Sequence, residues 1–221
     1  MKKTLSIRWL YLVFGIFSML FAGIIYGWSI LKSPLGTEFG WNAAQLTTNF
    51  TITMIFFCLG GFVGAKLTGK IGVKLTAISA GLLSTLGFVL ASYIDGSNIV
   101  MLYLSYGLLA GLGIGIAYNV VIGTVNAWFP DKKGLCSGAL MMGFGSSSLV
   151  LGSVANAAME NFGWRITYRA LGLGLGVILI LTGLVLRRPD PSVSLPVPKA
   201  KRNQKSEAFE IRDYTTAQML R

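Results

Sequence analysis

The 221-residue chain carries 19 Lys and Arg against 8 Asp and Glu, with no His and a formal net charge of +11, yet 53% of its residues are hydrophobic and only 12% are charged. Its mean hydropathy of +0.66 is too high for a soluble domain of this length. The basic residues lie between apolar runs instead of clustering on one soluble face, which excludes nucleic acid as a partner and fits loops facing an anionic inner leaflet.

Two cysteines, Cys58 and Cys136, supply neither a disulfide framework nor metal-ligand spacing and read as small packing residues. Without histidine, and without an acidic cluster inside an apolar run, the sequence predicts no metal site, no cofactor and no enzyme chemistry.

A helix crossing a hydrocarbon core of ~30 Å needs ~20 mostly apolar residues. Six stretches free of Asp, Glu, Lys and Arg meet that need, at residues 9–31, 46–65, 76–94, 100–125, 135–159 and 170–186. The first follows Lys2, Lys3 and Arg8, as a signal peptide would, but its apolar run far exceeds the ~7–15 residues of a signal core. It is expected to be retained as a span. The fold class that follows is an all-α membrane protein of six transmembrane helices.

Orientation comes from the connections. The N-terminus, the loop with Lys66, Lys70 and Lys74, the loop with Lys132 and Lys133, and the C-terminal tail together hold sixteen Lys and Arg, whereas the alternate connections hold three: Lys32, Arg165 and Arg169. Cationic residues resist translocation, so both termini are expected in the cytoplasm, in a multi-pass protein of the cell membrane.

The expected organisation is a cytoplasmic N-terminus at 1–8, a six-helix transmembrane domain at 9–186 and a basic, proline-containing cytoplasmic loop at 187–221. In the last of these, Pro189, Pro191, Pro196 and Pro198 precede Lys199, Lys201, Arg202 and Lys205, and helix-forming character returns after Thr215 or Thr216 as N-cap. A linker of this kind points to a second half beyond it.

Glycine is read as packing. Gly107, Gly111 and Gly115 fall four apart, and Gly60 with Gly64 repeat the spacing, so that helix backbones can approach closely along those faces. A nucleotide loop at Gly111, Gly113 and Gly115 would need a preceding strand, and the surrounding sequence is helical in character. So many glycines also suit a bundle that rocks between conformations.

With no charge in any span, Thr47, Thr48, Asn49, Thr51 and Thr53 form the densest polar patch. The threonines are expected to bond back to carbonyls one turn earlier, and Asn49, too costly to face lipid, is expected to point into the bundle. Tyr26, Trp28, Tyr118 and Asn119 place polar groups at intermediate depth and join Asn49 as a candidate substrate path. Trp9, Trp41, Trp128 and Trp164, near span ends, are expected in the interfacial belt.

Tyr26-Gly27-Trp28-Ser29 followed by Pro34-Leu35 and Phe39-Gly40-Trp41, the run from Gly111 to Tyr118, and Trp128-Phe-Pro-Asp-Lys-Lys-Gly-Leu-Cys-Ser-Gly138 together resemble the oxalate/formate antiporter family. That family lies within the major facilitator superfamily and is related to monocarboxylate transporters. The match continues through Phe162-Gly163-Trp164-Arg165, so it covers almost the whole chain.

Members of the family have two six-helix halves, so the resemblance implies that this sequence is the N-terminal half with part of the central loop. It implies a secondary transporter, an antiporter of small organic anions of the mono- or dicarboxylate type, working by alternating access. The implied partners are the anion, membrane lipids and a missing C-terminal half from the same gene or a second copy. Tyr26 and Tyr118 would offer hydroxyls to a carboxylate. Lys70, Gly72, Lys74, Asp131, Lys132 and Lys133 would form the gating loops, with the same charges explained otherwise as a solvated positive-inside face.

Two positions depart from the pattern that the resemblance implies. Gly69 stands where the loop between the second and third spans is expected to carry Asp, and Ile25 stands where oxalate-transporting members place Gln beside the tyrosine. The second departure points away from oxalate, toward a monocarboxylate or another small anion. The alternative reading is a stand-alone six-helix membrane interaction protein or a homodimerising half-transporter.

Overall fold

The computed structural model describes residues 2–189 and Pro196. Most of the proline-rich basic segment, with Thr215 and Thr216, lies outside the described residues. Among the described residues, nine α-helices follow in chain order: α1 (Lys2–Ala22), α2 (Trp28–Leu31), α3 (Ser33–Phe39), α4 (Ala43–Ala91), α5 (Val100–Leu102), α6 (Gly111–Trp128), α7 (Lys133–Gly145), α8 (Ser147–Phe162) and α9 (Trp164–Val185). A 3-10 stretch, Gly23–Gly27, joins α1 to α2, and a π-helical stretch, Tyr103–Ala110, joins α5 to α6.

Among the described residues, five helical stretches are long and apolar enough to cross a membrane: Ile7–Phe39, Ala43–Ala91, Val100–Trp128, Lys133–Phe162 and Trp164–Val185. The second of them contains the 46–65 run and all but the last three residues of the 76–94 run. Built straight, its 49 residues would reach about 73 Å, far longer than any bilayer. It doubles back at Gly72, whose backbone (φ 80°, ψ 169°) lies in a region essentially reserved for glycine.

The packing of α6 fixes the sense of that turn. Asn49 lies against Gly107, Thr53 against Gly111 and Phe57 against Gly115, so the first arm of α4 runs parallel to the segment from Val100 to Trp128. Past Gly72 the order reverses: Ala80 and Ser84 meet Gly113, and Gly87 meets Ala110 and Ser105. The segment therefore lies between two antiparallel arms of one helix, with no room for a Cβ at Gly60, Gly87, Gly111, Gly113 or Gly115.

The same alternation extends outward. Gly172, Gly176 and Gly183 of α9 meet Phe88, Thr85 and Ala77 in antiparallel order. α1 runs alongside α7 and α8 in parallel, Gly15 facing Leu140, Ile16 facing Gly143, Gly23 facing Phe144 and Ile30 reaching Gly152. Against α9, α1 is joined by a hydrogen bond between the hydroxyls of Ser18 and Thr182. The outer surface carries exposed Phe17, Ile55, Phe62, Leu82, Leu104, Leu149 and Val177, an apolar exterior suited to acyl chains.

Capping accounts for the ends. Asn42 and Gln45 form a reciprocal capping box at the start of α4, each side chain meeting the other's backbone N–H at 2.9 Å. Gly40 closes α3 in the left-handed conformation (φ 65°), and Gly163 (φ 81°, ψ 157°) separates α8 from α9.

Two tryptophans depart from the belt expectation. Trp128 and Trp164 are buried, with indole N–H groups donating to the Arg187 carbonyl and the Glu38 carboxylate, because each sits where two segment ends converge. Trp9 is exposed and Trp41 half-buried.

Candidate functional site

The short 3-10 stretch at Gly23–Gly27 follows from close packing. A Cβ at Gly23 would collide with the Phe144 carbonyl and Ser147, so the backbone of the first segment presses onto the α7–α8 junction. Tyr26, within this tightened turn, is 45% exposed, and its ring stands edge-on to Phe144 with centroids 5.2 Å apart.

Tyr118 of α6 approaches the same phenylalanine, centroids 5.0 Å apart and planes at 68°. Phe57 of α4 completes the group, 5.3 Å from Tyr118 and 5.9 Å from Phe144. Four aromatic side chains from four helical stretches thus converge, with Phe144 at the centre. Neither phenol hydroxyl of Tyr26 or Tyr118 bonds to another described residue, while both rings remain partly open.

Tyr26 also opens onto a groove of about 200 Å³, which it lines with Trp28, Ser29, Lys32, Thr47 and Phe50. Trp28 is 3% exposed, and its indole N–H donates to the Leu46 carbonyl at 2.9 Å while its ring lies 4.7 Å from Tyr106. It forms part of the groove's wall and offers no free donor there.

Asn49 is fully buried, and neither its amide N–H₂ nor its Oδ1 finds a partner among the described residues. It packs on Gly107 inside the π-helical stretch, where Tyr106 also holds an unpartnered buried hydroxyl. π-helical insertions are frequent at functional sites, and buried orphan groups are costly; others among the described residues are at Arg8, Thr124, Asn126 and Ser147. The neighbouring threonines are satisfied locally: Thr48, Thr51 and Thr53 donate to the carbonyls of Ala44, Thr47 and Asn49.

Asn119 follows Tyr118 in sequence but points elsewhere on α6. It lines a separate cavity of about 120 Å³ with Ala65, Thr68, Gly123, Thr124 and Arg188. The structure therefore brings Tyr26 and Tyr118 together, buries Asn49 against the π-helical stretch, and leaves Asn119 apart.

The loop residues divide as well. Lys70, Gly72 and Lys74 are exposed at the turn of α4, and Lys132 and Lys133 are exposed before α7. None of these four lysines pairs with an acid among the described residues. Asp131 accepts from Arg8 Nη1 at 2.9 Å, with side-chain exposures of 14% and 8%. The guanidinium also stacks 4.8 Å from the Phe129 ring, and Lys132 lies 5.5 Å from the Trp9 ring.

At the other end of the Ile7–Phe39 stretch, Glu38 of α3 receives the Trp164 indole N–H and pairs with Arg165 at 2.7 Å, and Arg165 donates onward to the Ile94 carbonyl at 3.2 Å. The Trp164 bond, followed by the Arg165 charge, holds the Glu38 carboxyl below its ordinary value. Sequence reasoning missed Phe57 and Phe144, which differ in no visible way from other apolar residues of their spans. It counted Lys32 for orientation only, although that residue sits six positions beyond Tyr26 on a short helical run.

Comparison with known proteins supplies the family. The Major Facilitator Superfamily profile matches residues 10–218. The chain is 28% identical over 215 residues to the oxalate:formate antiporter of Oxalobacter formigenes, covering 97% of this chain and 49% of that protein. It is 28% identical over 214 residues to the uncharacterized transporter YhjX of Escherichia coli, covering 97% and 50%. Against mouse monocarboxylate transporter 12 it is 32% identical over 156 residues, covering 71% and 31%. The chain thus spans about half the length of the first two of these curated relatives. With the profile covering nearly its full length, the chain belongs to the major facilitator superfamily.

Proposed function

We propose that this chain forms one six-helix half of a secondary transporter of small organic anions, mono- or dicarboxylate in type, that works by alternating access. The observation that carries the reading is the convergence of Tyr26 and Tyr118 on Phe144, with Tyr26 also lining an open groove. Phenol donors bind a carboxylate oxygen, and the surrounding rings exclude water from its apolar end. The oxalate:formate antiporter and monocarboxylate transporter 12 bear names of the same chemical class.

In this reading the arms of α4 on either side of Gly72 are two crossings, which brings the number of spans to six. The lysine-rich turns face the cytoplasm together with both termini, in the plasma membrane. Lys70, Gly72, Lys74, Asp131, Lys132 and Lys133 border the inner gate. A second six-helix half, from the same gene or from another copy, supplies the opposite wall, and the two rock about the aromatic site.

Uptake of radiolabelled formate, lactate and oxalate into proteoliposomes holding the full-length gene product tests the proposal. Saturable uptake that falls when Tyr118 is replaced by Phe supports it. No saturable uptake of any of the three anions defeats it.

A further inference from the structure

The groove beside Tyr26 holds one charged side chain. Tyr26, Ser29 and Lys32 recur at intervals of three along a 3-10 turn running into α2, a spacing that aligns side chains on one side. Tyr26 and Ser29 are exposed and Lys32 is half-buried, with Trp28, Thr47 and Phe50 closing the remaining walls of the 200 Å³ space.

None of the three described acids at this end of the bundle pairs with Lys32. Glu38 is held by Trp164 and Arg165, Asp95 accepts from the Ser97 hydroxyl and backbone N–H at 2.7 and 3.0 Å, and exposed Glu160 accepts from the Asn156 amide at 2.8 Å. Lys32 therefore has no acidic partner among the described residues. An ammonium over aromatic, low-dielectric walls projects a stronger field than the same group on an open surface.

We infer that Lys32 is an anion-recruiting residue: its ammonium draws a carboxylate into the groove, where the Ser29 and Tyr26 hydroxyls receive it on the way to the Tyr26–Phe144–Tyr118 cluster. The inference rests on the reading of the chain as half of an anion transporter and goes beyond it. The six apolar runs hold no charge, whereas Lys32, directly after the first of them, gives this half a cation of its own. Lys32 acts on capture, and the aromatic cluster acts on occupancy.

The test uses the full-length protein in proteoliposomes with radiolabelled formate and oxalate, comparing the parent with Lys32→Arg, Lys32→Gln and Lys32→Glu. Half-saturation should stay near parental for Arg, rise about three- to tenfold for Gln and rise further for Glu, with maximal rates within about twofold. The increase should be larger for doubly charged oxalate and should shrink as ionic strength rises. A structural defect would lower the maximal rate without following charge.

Unchanged half-saturation in Lys32→Gln, or losses confined to the maximal rate, overturns the recruiting role while leaving the transporter reading intact. Absence of uptake by the parent overturns both.

Discussion

Arg8 Nη1 donates to Asp131 Oδ1 at 2.9 Å across 123 positions of sequence, tying the start of α1 to the turn after α6. Both side chains are largely buried, so removing either partner strands a poorly hydrated charge. Asp131→Asn or Arg8→Gln should each cost about 2–3 kcal/mol, read as a lower Tm in detergent, and the double variant should recover part of the loss.

Gly115 and Gly123 lie on the same helix in opposite circumstances. A Cβ at Gly115 would strike the Phe57 carbonyl, a backbone atom that cannot step aside, while nothing lies within 4 Å of one at Gly123. Gly115→Ala should destabilise by about 1–3 kcal/mol, and Gly123→Ala should leave thermal stability within about 0.5 kcal/mol.

Gly72 is constrained by backbone angle alone, since a Cβ there would meet open space. With φ at 80° and ψ at 169°, Gly72→Ala should cost about 1–3 kcal/mol without any steric clash. Comparing it with Gly69→Ala, a neighbouring glycine with neither a contact nor a positive φ, isolates the backbone term in a thermal melt.

Much of the helical scaffold was legible in the sequence because hydrocarbon admits few alternatives: uncharged runs of sufficient length become helices. The expected run 46–65 and all but the last three residues of 76–94 fall within the two arms of α4, and the polar turn between them, marked by Lys66, Lys70 and Lys74, surrounds the reversal at Gly72. The small-residue spacing at Gly60, Gly64, Gly107, Gly111 and Gly115 was visible, but not which backbone each would meet.

The site was less legible. Tyr26 and Tyr118 stood out by polarity in an apolar setting, whereas Phe57 and Phe144 had no contrast with their surroundings. The Arg8–Asp131 and Glu38–Arg165 pairs join residues more than a hundred positions apart, and no local pattern encodes such a meeting. Asn119 was grouped with Tyr118 by adjacency, yet one step along a helix turns a side chain by about 100°, enough to deliver it to a different cavity.

Phe144 supports both tyrosines. Phe144→Ala should raise the half-saturation for a carboxylate and lower the maximal rate in proteoliposomes, because Tyr26 and Tyr118 both lose the ring that orients them. Tyr118→Phe removes only the hydroxyl and should raise half-saturation by about fivefold, the worth of one hydrogen bond.

The Glu38 cluster should respond to acid. Its carboxyl lies beyond the first apolar run, and its value is depressed by the Trp164 N–H first and Arg165 after it. A depressed folded value means that the contribution is complete above the ordinary carboxylate range and vanishes as pH falls through the lowered value. The parent should therefore melt above Glu38→Gln at neutral pH, and the two curves should converge on acidification below about pH 4.

Among the described residues, two ion pairs bracket the helical stretch Ile7–Phe39. Arg8 fastens one end of it to the corner after α6; Glu38 of α3 fastens the other to the start of α9 and, through Arg165, to the corner after α4. A helix pinned at both extremities cannot slide like a piston past its neighbours without tearing one fastening or the other.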